Sequence, residues 1–494
     1  MNKSNYPSLY QINTRVWLTE ISSRLGYQAT LDDIPDYELD KLTRYGFDWI
    51  WLMSVWQTGK AGQQVSRTNP VWRKGFQETL PDLKEEDIGG SGFAILSYNV
   101  HEALGGNLAL AKLRERFRSR GIKLMLDFIP NHTGLDHKWV STNPEYYVQG
   151  SERDLLHEPD NYIKINSIRS DLIFAYGRDP FFTGWPDTLQ LNYGNPNLQK
   201  AMIHELMGIS EMCDGVRCDM AMLLLPDIFR ETWGIDCNPF WPEAIRKIKA
   251  SKSDFCFMAE VYWGKEWILQ QQGFDYTYDK TLIDRLKKGI ARPVREHFLA
   301  DMDYQNKMAR FLENHDEHRI AAEFPVEMHE AAAVIAYFSP GLRFFHQGQL
   351  EGKTKHVSPH LIRVPKESAN ERVVFFYKKL FSILSKPVFR VGHWQLLECI
   401  TAWEGNLSQD NYISFAWISD TNERIIISIN YSPHRSQCYV RLPFNDLNSY
   451  RWHFEDLLSG QCYMRDGTEL ESKGLYLDEP AWNIYIFTLK QALT

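Results

Sequence analysis

The chain has no C-x-x-C pair, no block of consecutive lysines and arginines, and no apolar run long enough to cross a bilayer. Each absence closes a class. The seven cysteines, Cys213, Cys218, Cys237, Cys256, Cys399, Cys438 and Cys462, are odd in number and widely spaced. Neither a zinc site nor a disulfide framework fits that spacing, and reduced, mostly buried thiols in a cytoplasmic protein fit it better. With no basic arm and a net charge of −8, nucleic acid is not expected as a partner. The longest apolar runs, such as "AAAVIAYF", fall far short of the roughly 20 residues a membrane helix needs. The opening "MNKSNYPSLYQINTRVWL" lacks the basic-then-apolar pattern of a secretory leader. No repeat or low-complexity segment occurs, and the oligomeric state is not legible.

What is present is an ordinary globular composition, 44% apolar and 24% charged over 494 residues. That length implies two or three domains, or one large barrel with additions. Short β-branched and aromatic runs alternate with amphipathic helical segments. The strand candidates are "YQINTRVWL", "FDWIWLM", "GIKLMLDFI", "DGVRCD", "DFCFMAEVY", "FDYTYD", "MARFLENH" and "GLRFFHQG". Strands that alternate with helices pair in parallel through crossovers. Eight such units predict a closed (β/α)8 TIM barrel.

The third and fourth strand ends, Asp127 and Asp219, lie about three times farther apart than the ~30 residues of a βαβ unit. The intervening segment, rich in Gly, Pro, Asp and aromatics, predicts an inserted irregular domain. Beyond about residue 388, runs such as "NYISFAWIS" and "RIIISINYS" alternate apolar and polar, which predicts an antiparallel β-sandwich. The expected organisation is 1–132 barrel, 133–186 insert, 187–388 barrel and 389–494 sandwich.

In a barrel of this kind the active site lies at the C-terminal strand ends. Those ends carry Asp127 with Asn131 and His132, then Arg217 and Asp219, then Glu260, then Asn314, His315 and Asp316. Arg217 and Asp219 are two apart on a strand, so both side chains leave one face. The guanidinium is expected to keep the aspartate ionised, as a covalent nucleophile requires. A structural ion pair at the barrel rim fits that pair equally well. Glu260, at the lip of an apolar strand near other acids, is expected to have a raised pKa and to suit a general acid. One ionised and one protonated carboxyl is the arrangement for glycoside cleavage. Asp316, His132 and His315 could hold ring hydroxyls. A metal cluster is the competing reading. The arginine in the mouth would repel a cation.

"DFIPNHTG" (127–134), "GVRCD" (215–219), "MAEVYW" (258–263) and "FLENHDEHR" (311–319) resemble the four ordered regions of the α-amylase superfamily, glycoside hydrolase family thirteen. The resemblance spans about residues 8–385 and also implies the inserted B domain and the C-terminal sandwich. It implies Asp219 as nucleophile, Glu260 as general acid/base and Asp316 as transition-state stabiliser. Arg217, His132 and His315 become partners around the reacting glucose, Asp127 a supporting residue. Phe93 takes the place of a tyrosine that stacks on that sugar.

The departures shape the expectations. Met222 and Leu223 stand where many relatives have a lysine-histidine pair, and Gln190 stands where an aspartate calcium ligand is usual. Asn131 alone is not a site, so no metal or other cofactor is expected, the usual structural calcium included. Ala94 and Ser97 replace more polar residues. The expected activity is a retaining glycosidase of the α-amylase type acting on α-glucosidic bonds, α-1,4 foremost, in an oligosaccharide or small α-glucoside. Transfer to another sugar, or use of a sugar phosphate, is the alternative; the latter needs a basic cluster, for which Lys353, Lys355 and Arg363 are candidates. A catalytically silent glucan-binding relative is a third reading, set against the presence of all three acids.

Overall fold

The computed structural model describes residues 4–166 and 171–492. Residues 167–170, within the expected insert, and 1–3 and 493–494, at the ends of the expected first and last domains, lie outside the described residues. Eight parallel strands close into a barrel: β1 (Ser8–Asn13), β2 (Trp49–Met53), β3 (Lys123–Phe128), β4 (Gly215–Cys218), β5 (Cys256–Ala259), β6 (Tyr276–Tyr278), β7 (Met308–Arg310) and β8 (Leu342–His346). The ring is sealed by β8 against β1, with Ser8 opposite Arg343. Runs such as "WIWLM" in β2 are buried throughout, because helices cover one face of the sheet and the barrel interior the other.

Two strands are shorter than their sequence patterns suggest. The first candidate, "YQINTRVWL", stops as a strand at Asn13. The Asn13 side chain accepts the Val16 N–H at 3.3 Å and caps the helix Thr14–Leu25, so Val16, Trp17 and Ile21 are buried at helical spacing. In the seventh candidate, "MARFLENH", pairing ends at Arg310. The Asn314 side chain then accepts the N–H groups of Asp316 (2.8 Å) and Glu317 (3.0 Å). This Asx turn bends the chain and leaves Asp316 facing outward.

Between β3 and β4 the chain makes the expected excursion. The antiparallel strands His132–Gly134 and Thr188–Gln190 fasten it at its base, with His132 opposite Gln190. Above them lie the strands Tyr162–Asn166 and Asp171–Ala175 and the short helices Trp139–Thr142 and Glu152–His157. The segment therefore carries more regular structure than its composition implied. A second excursion, between β2 and β3, has no counterpart in the sequence reading. It holds the helices Lys60–Thr68 and Pro70–Thr79 and the paired strands Trp56–Thr58 and Ile95–Val100, and it carries Phe93.

The C-terminal part is a six-stranded and a three-stranded antiparallel sheet. Residues from both, such as Ile426 and Phe487 from one and Cys438 and Leu477 from the other, share one core. Buried polar contacts tie it to the barrel. Trp417 Nε1 donates to the Phe338 carbonyl at 2.8 Å and Tyr431 Oη to that of Leu286 at 2.9 Å. Cys213, Cys218, Cys237, Cys399, Cys438 and Cys462 are free thiols. Among the described residues no helix is long and apolar enough to cross a membrane.

Candidate active site

Register delivers the acids to one place. Arg217 lies opposite Asp127 on one side and Met258 on the other, and the residues just beyond these strands come together at the barrel mouth. Arg217, 1% exposed, is the hub. Its Nη1 donates to Asp219 Oδ1 at 2.6 Å and its Nη2 to Glu260 Oε2 at 2.7 Å. Asp127 Oδ1 lies 3.5 Å from Nη1. Nε reaches the Tyr278 hydroxyl at 3.3 Å. The rings of Trp51 and Phe93 lie 5.2 and 5.4 Å from the guanidinium carbon, so the cation is walled by aromatic faces.

Glu260 is held on three sides. Besides Arg217 it accepts the Met220 N–H at 2.6 Å on Oε2 and the Tyr262 hydroxyl at 2.9 Å on Oε1. Burial nevertheless pushes its pKa up to about 7, against the pull of Arg217 and with the push of Asp219 and Asp316. Burial likewise raises Asp127 to about 7. Asp219 departs from the sequence expectation. Arg217 does pull its pKa down, but burial outweighs that pull and the net direction is upward. One guanidinium cannot offset several acids that share it in a site so poor in water, and the group retains protons that isolated carboxyls would lose.

Asp316 is the most open of these acids, with 45% of its side chain exposed. Its Oδ2 lies 3.1 Å from His315 Nε2. On the other edge of that ring, Gln11 Nε2 donates to Nδ1 at 2.8 Å. Burial lowers the His315 pKa to about 3, so the ring is neutral. With Nδ1 accepting, it carries its proton on Nε2, toward Asp316. Phe93 stacks on His315 with centroids 5.2 Å apart and an interplanar angle of 27°. His132, buried and lowered to about 4, is neutral as well and sits edge-on to Trp185 at 5.2 Å. Asp127, Asp219 and Glu260 thus gather around Arg217, Phe93 lies between Arg217 and His315, Asp316 meets His315, and His132 lies within the field of Glu260.

Other members had not been singled out. Gln11 is fully buried in β1; a glutamine between Tyr10 and Ile12 in a barrel strand was its one signal. Tyr262, Tyr278 and Trp51 read in the sequence as ordinary core aromatics. Met222 and Leu223, in the short helix Ala221–Leu224, are part of the apolar core. Asn131 and Gln190 bond to each other. Gln190 Nε2 donates to Asn131 Oδ1 at 3.0 Å and Asn131 Nδ2 to Gln190 Oε1 at 3.2 Å. Among the described residues no group of three or more His, Cys, Asp or Glu side chains is placed to hold a metal. Of the basic candidates, Arg363 is forked onto Asp82 and Asp87, and Lys353 donates to the Glu367 carbonyl.

A family model described as the alpha amylase catalytic domain matches residues 34–374. "Alpha-amylase 3" of Dictyoglomus thermophilum is 22% identical over 283 residues, 54% of this chain and 55% of that protein. "Alpha-amylase MalA" of Haloarcula japonica is 24% identical over 355 residues, 70% of this chain and 44% of that one. The chain therefore spans about half the length of these curated relatives. A "4-alpha-glucanotransferase" of Thermotoga neapolitana is 24% identical over 331 residues, 60% of this chain and 64% of that one. Among solved structures, a maltogenic alpha-amylase, AmyB, of Thermotoga neapolitana superposes with a TM-score of 0.69 at 18% identity, covering 99% of each chain.

Proposed function

We propose that this chain, which belongs to the family of alpha-amylase catalytic domains, is a retaining enzyme of α-glucosidic bonds that works through a covalent glycosyl-aspartate. One observation carries the reading. Arg217 grips Asp219 and Glu260 with neighbouring nitrogens, at 2.6 and 2.7 Å. Carboxyls held side by side suit the ~5 Å separation of retaining glycosidases better than the ~6.5–9.5 Å that leaves room for an attacking water.

In this mechanism Asp219 attacks C1 of the glucosyl unit while Glu260 gives its proton to the departing glycosidic oxygen. The C1–O bond breaks, an ester to Asp219 forms, and Glu260 is left ionised. Glu260 then takes a proton from water or from a sugar hydroxyl, whose oxygen displaces Asp219 from C1. The raised pKa of Glu260 supports the first step, because a carboxyl near 7 still carries its proton at neutral pH. Asp316 and the Nε2–H of His315 face ring hydroxyls, and His132 adds a neutral ring to the wall. Arg217 and Asp127 hold the nucleophile in place. Phe93 offers its ring to the apolar face of the sugar.

Both outcomes of the second step fit this geometry, and the relatives include proteins named amylases and glucanotransferases. A sugar-phosphate donor is disfavoured, because Arg363 is already spent on two aspartates. No metal enters the reading. Asn131 and Gln190 use their amides on each other, a poor fit to the oxygen-rich shell of calcium. The free thiols support a reducing, cytoplasmic setting.

The deciding experiment incubates the chain with maltooligosaccharides, maltose 1-phosphate, sucrose and trehalose, and follows products by chromatography and anomeric configuration by NMR. Initial release of the α-anomer from an α-glucan supports the reading. Release of the β-anomer, or turnover of the phosphate donor alone, overturns it.

A further inference from the structure

Residues 347–370 run between β8 and the helix Glu371–Leu384 as an irregular strap. Its near end is fastened to β1. The Gln347 N–H donates to the Gln11 carbonyl at 3.0 Å, and Gln347 Oε1 accepts the Asn13 N–H at 3.0 Å. Its far end is fastened to the excursion that carries Phe93. The His360 carbonyl accepts the N–H groups of Gly89 (2.9 Å) and Gly90 (3.2 Å), and the Ile362 N–H donates to the Asp87 carbonyl at 3.0 Å. Arg363 adds ion pairs to Asp82 and Asp87.

Between these anchors the strap grips the loop that carries Asp316. Arg319 Nη1 donates to the Gln347 carbonyl at 2.7 Å and Nε to that of Lys355 at 3.2 Å. Glu313, fully buried, closes the same loop on itself. Its Oε1 accepts Arg319 Nη1 at 2.6 Å and its Oε2 the Ile320 N–H at 2.8 Å. The contact nearest the acid comes from His356, which is half-buried. Its Nε2 lies 2.8 Å from the His315 carbonyl oxygen. A carbonyl can only accept, so this nitrogen carries the proton and donates it. The oxygen belongs to the peptide that joins His315 to Asp316, and a rotation of that peptide moves the carboxylate. His315 is therefore held at two points, its ring by Gln11 and its carbonyl by His356. His356 also lies in the field of the acid. Burial raises the Asp316 pKa, and Arg217 and then His356 pull against that rise.

Resting on the function proposed above, we infer that His356 is a positioning residue for Asp316, holding the His315–Asp316 peptide in the orientation that presents the carboxylate to ring hydroxyls. Hydrogen bonds to such hydroxyls strengthen as the sugar nears the transition state. A misplaced Asp316 therefore costs turnover rather than substrate binding.

Turnover of α-glucosyl fluoride tests this, because its reactive leaving group keeps slow variants measurable. His356→Leu and the smaller His356→Ala remove the donor, whereas His356→Gln keeps an N–H that reaches the same carbonyl. Circular dichroism checks the fold of each. In the two variants without a donor, kcat is expected to fall about tenfold, equivalent to about 1.4 kcal/mol, with KM within about twofold of the parent value. His356→Gln is expected to recover most of the rate. The decisive comparison adds Asp316→Asn. In that chain His356→Leu is expected to cost little more, because residues that act through one another are not additive. A histidine that merely supports the fold costs the same factor with or without Asp316. Equal factors, a change in KM alone, or no recovery in His356→Gln overturns the inference, and with an active parent chain the proposed reaction still stands. A parent chain inert toward every α-glucosyl donor removes the reaction and the positioning role together.

Discussion

The backbone N–H of Met220 donates to Glu260 Oε2 at 2.6 Å, from a residue held in the left-handed region at φ 44°. A side-chain-bearing residue costs roughly 1–3 kcal/mol in such a conformation. Met220 directly follows Asp219, so one peptide links the two acids of the proposed mechanism. The β4 turn that aims Asp219 also orients Glu260 on the neighbouring strand. Local strain here serves relative placement rather than stability.

That pairing separates two variants. Asp219→Asn is expected to lose turnover of every α-glucosidic donor while keeping its fold by circular dichroism. Glu260→Gln is expected to lose about 10²- to 10⁴-fold on oligosaccharides, but much less on α-glucosyl fluoride, whose leaving group needs no proton. Steady-state rates on both donors check this. Equal losses on fluoride and oligosaccharide in Glu260→Gln would remove it from the acid role.

The pH profile follows from the same group. Glu260 must be protonated to act, and burial raises its pKa to about 7, so kcat/KM on oligosaccharides is expected to fall as pH rises through about 7. The alkaline limb should be weaker with the fluoride donor. The sign for stability is the same. A carboxyl whose folded pKa lies above its ordinary value contributes stability that is full below that ordinary value and lost as pH climbs through the folded one. Thermal melts across pH 4.5–8 should therefore show less of this loss in Glu260→Gln than in the parent chain.

Gln11 acts through His315. Its amide fixes the Nε2–H tautomer that faces Asp316. Gln11→Leu leaves Nδ1 without a donor and lets the proton move there. The expected result is a fall of about tenfold or more in kcat/KM, on the scale of one buried hydrogen bond worth about 1–3 kcal/mol. The acidic limb of the pH profile should shift in the same variant. A merely structural glutamine would lower the melting temperature and leave that limb in place.

The Asn131–Gln190 pair yields a metal prediction. Chelator or added calcium is expected to leave the melting temperature unchanged. Gln190→Asp removes the amide that donates to Asn131 and buries an acid, so it should destabilise by about 1–3 kcal/mol. A large loss of stability on chelation of the parent chain would contradict the metal-free reading.

The acids were legible because barrel geometry assigns strand ends to a common mouth, so Asp127, Asp219, Glu260 and Asp316 could be placed without coordinates. Local signals failed where one residue overrode a pattern. Asn13 turned an apparent strand into a helix by capping it. Asn314 ended β7 early by folding its side chain onto the backbone. The direction of the Asp219 pKa shift was misjudged because Arg217 is adjacent in sequence, whereas Glu260 and Asp127, which share it, are adjacent only in space.

The sequence by itself determined the eight strands, the identity of the acids and their convergence, because periodicity and order along the chain set which ends of a closed parallel barrel face together. Only the tertiary structure decided how one buried guanidinium is divided among several carboxyls and which tautomer His315 carries. Those properties depend on burial and on distances of a few ångströms between residues remote in the chain, and no local pattern of residues encodes them.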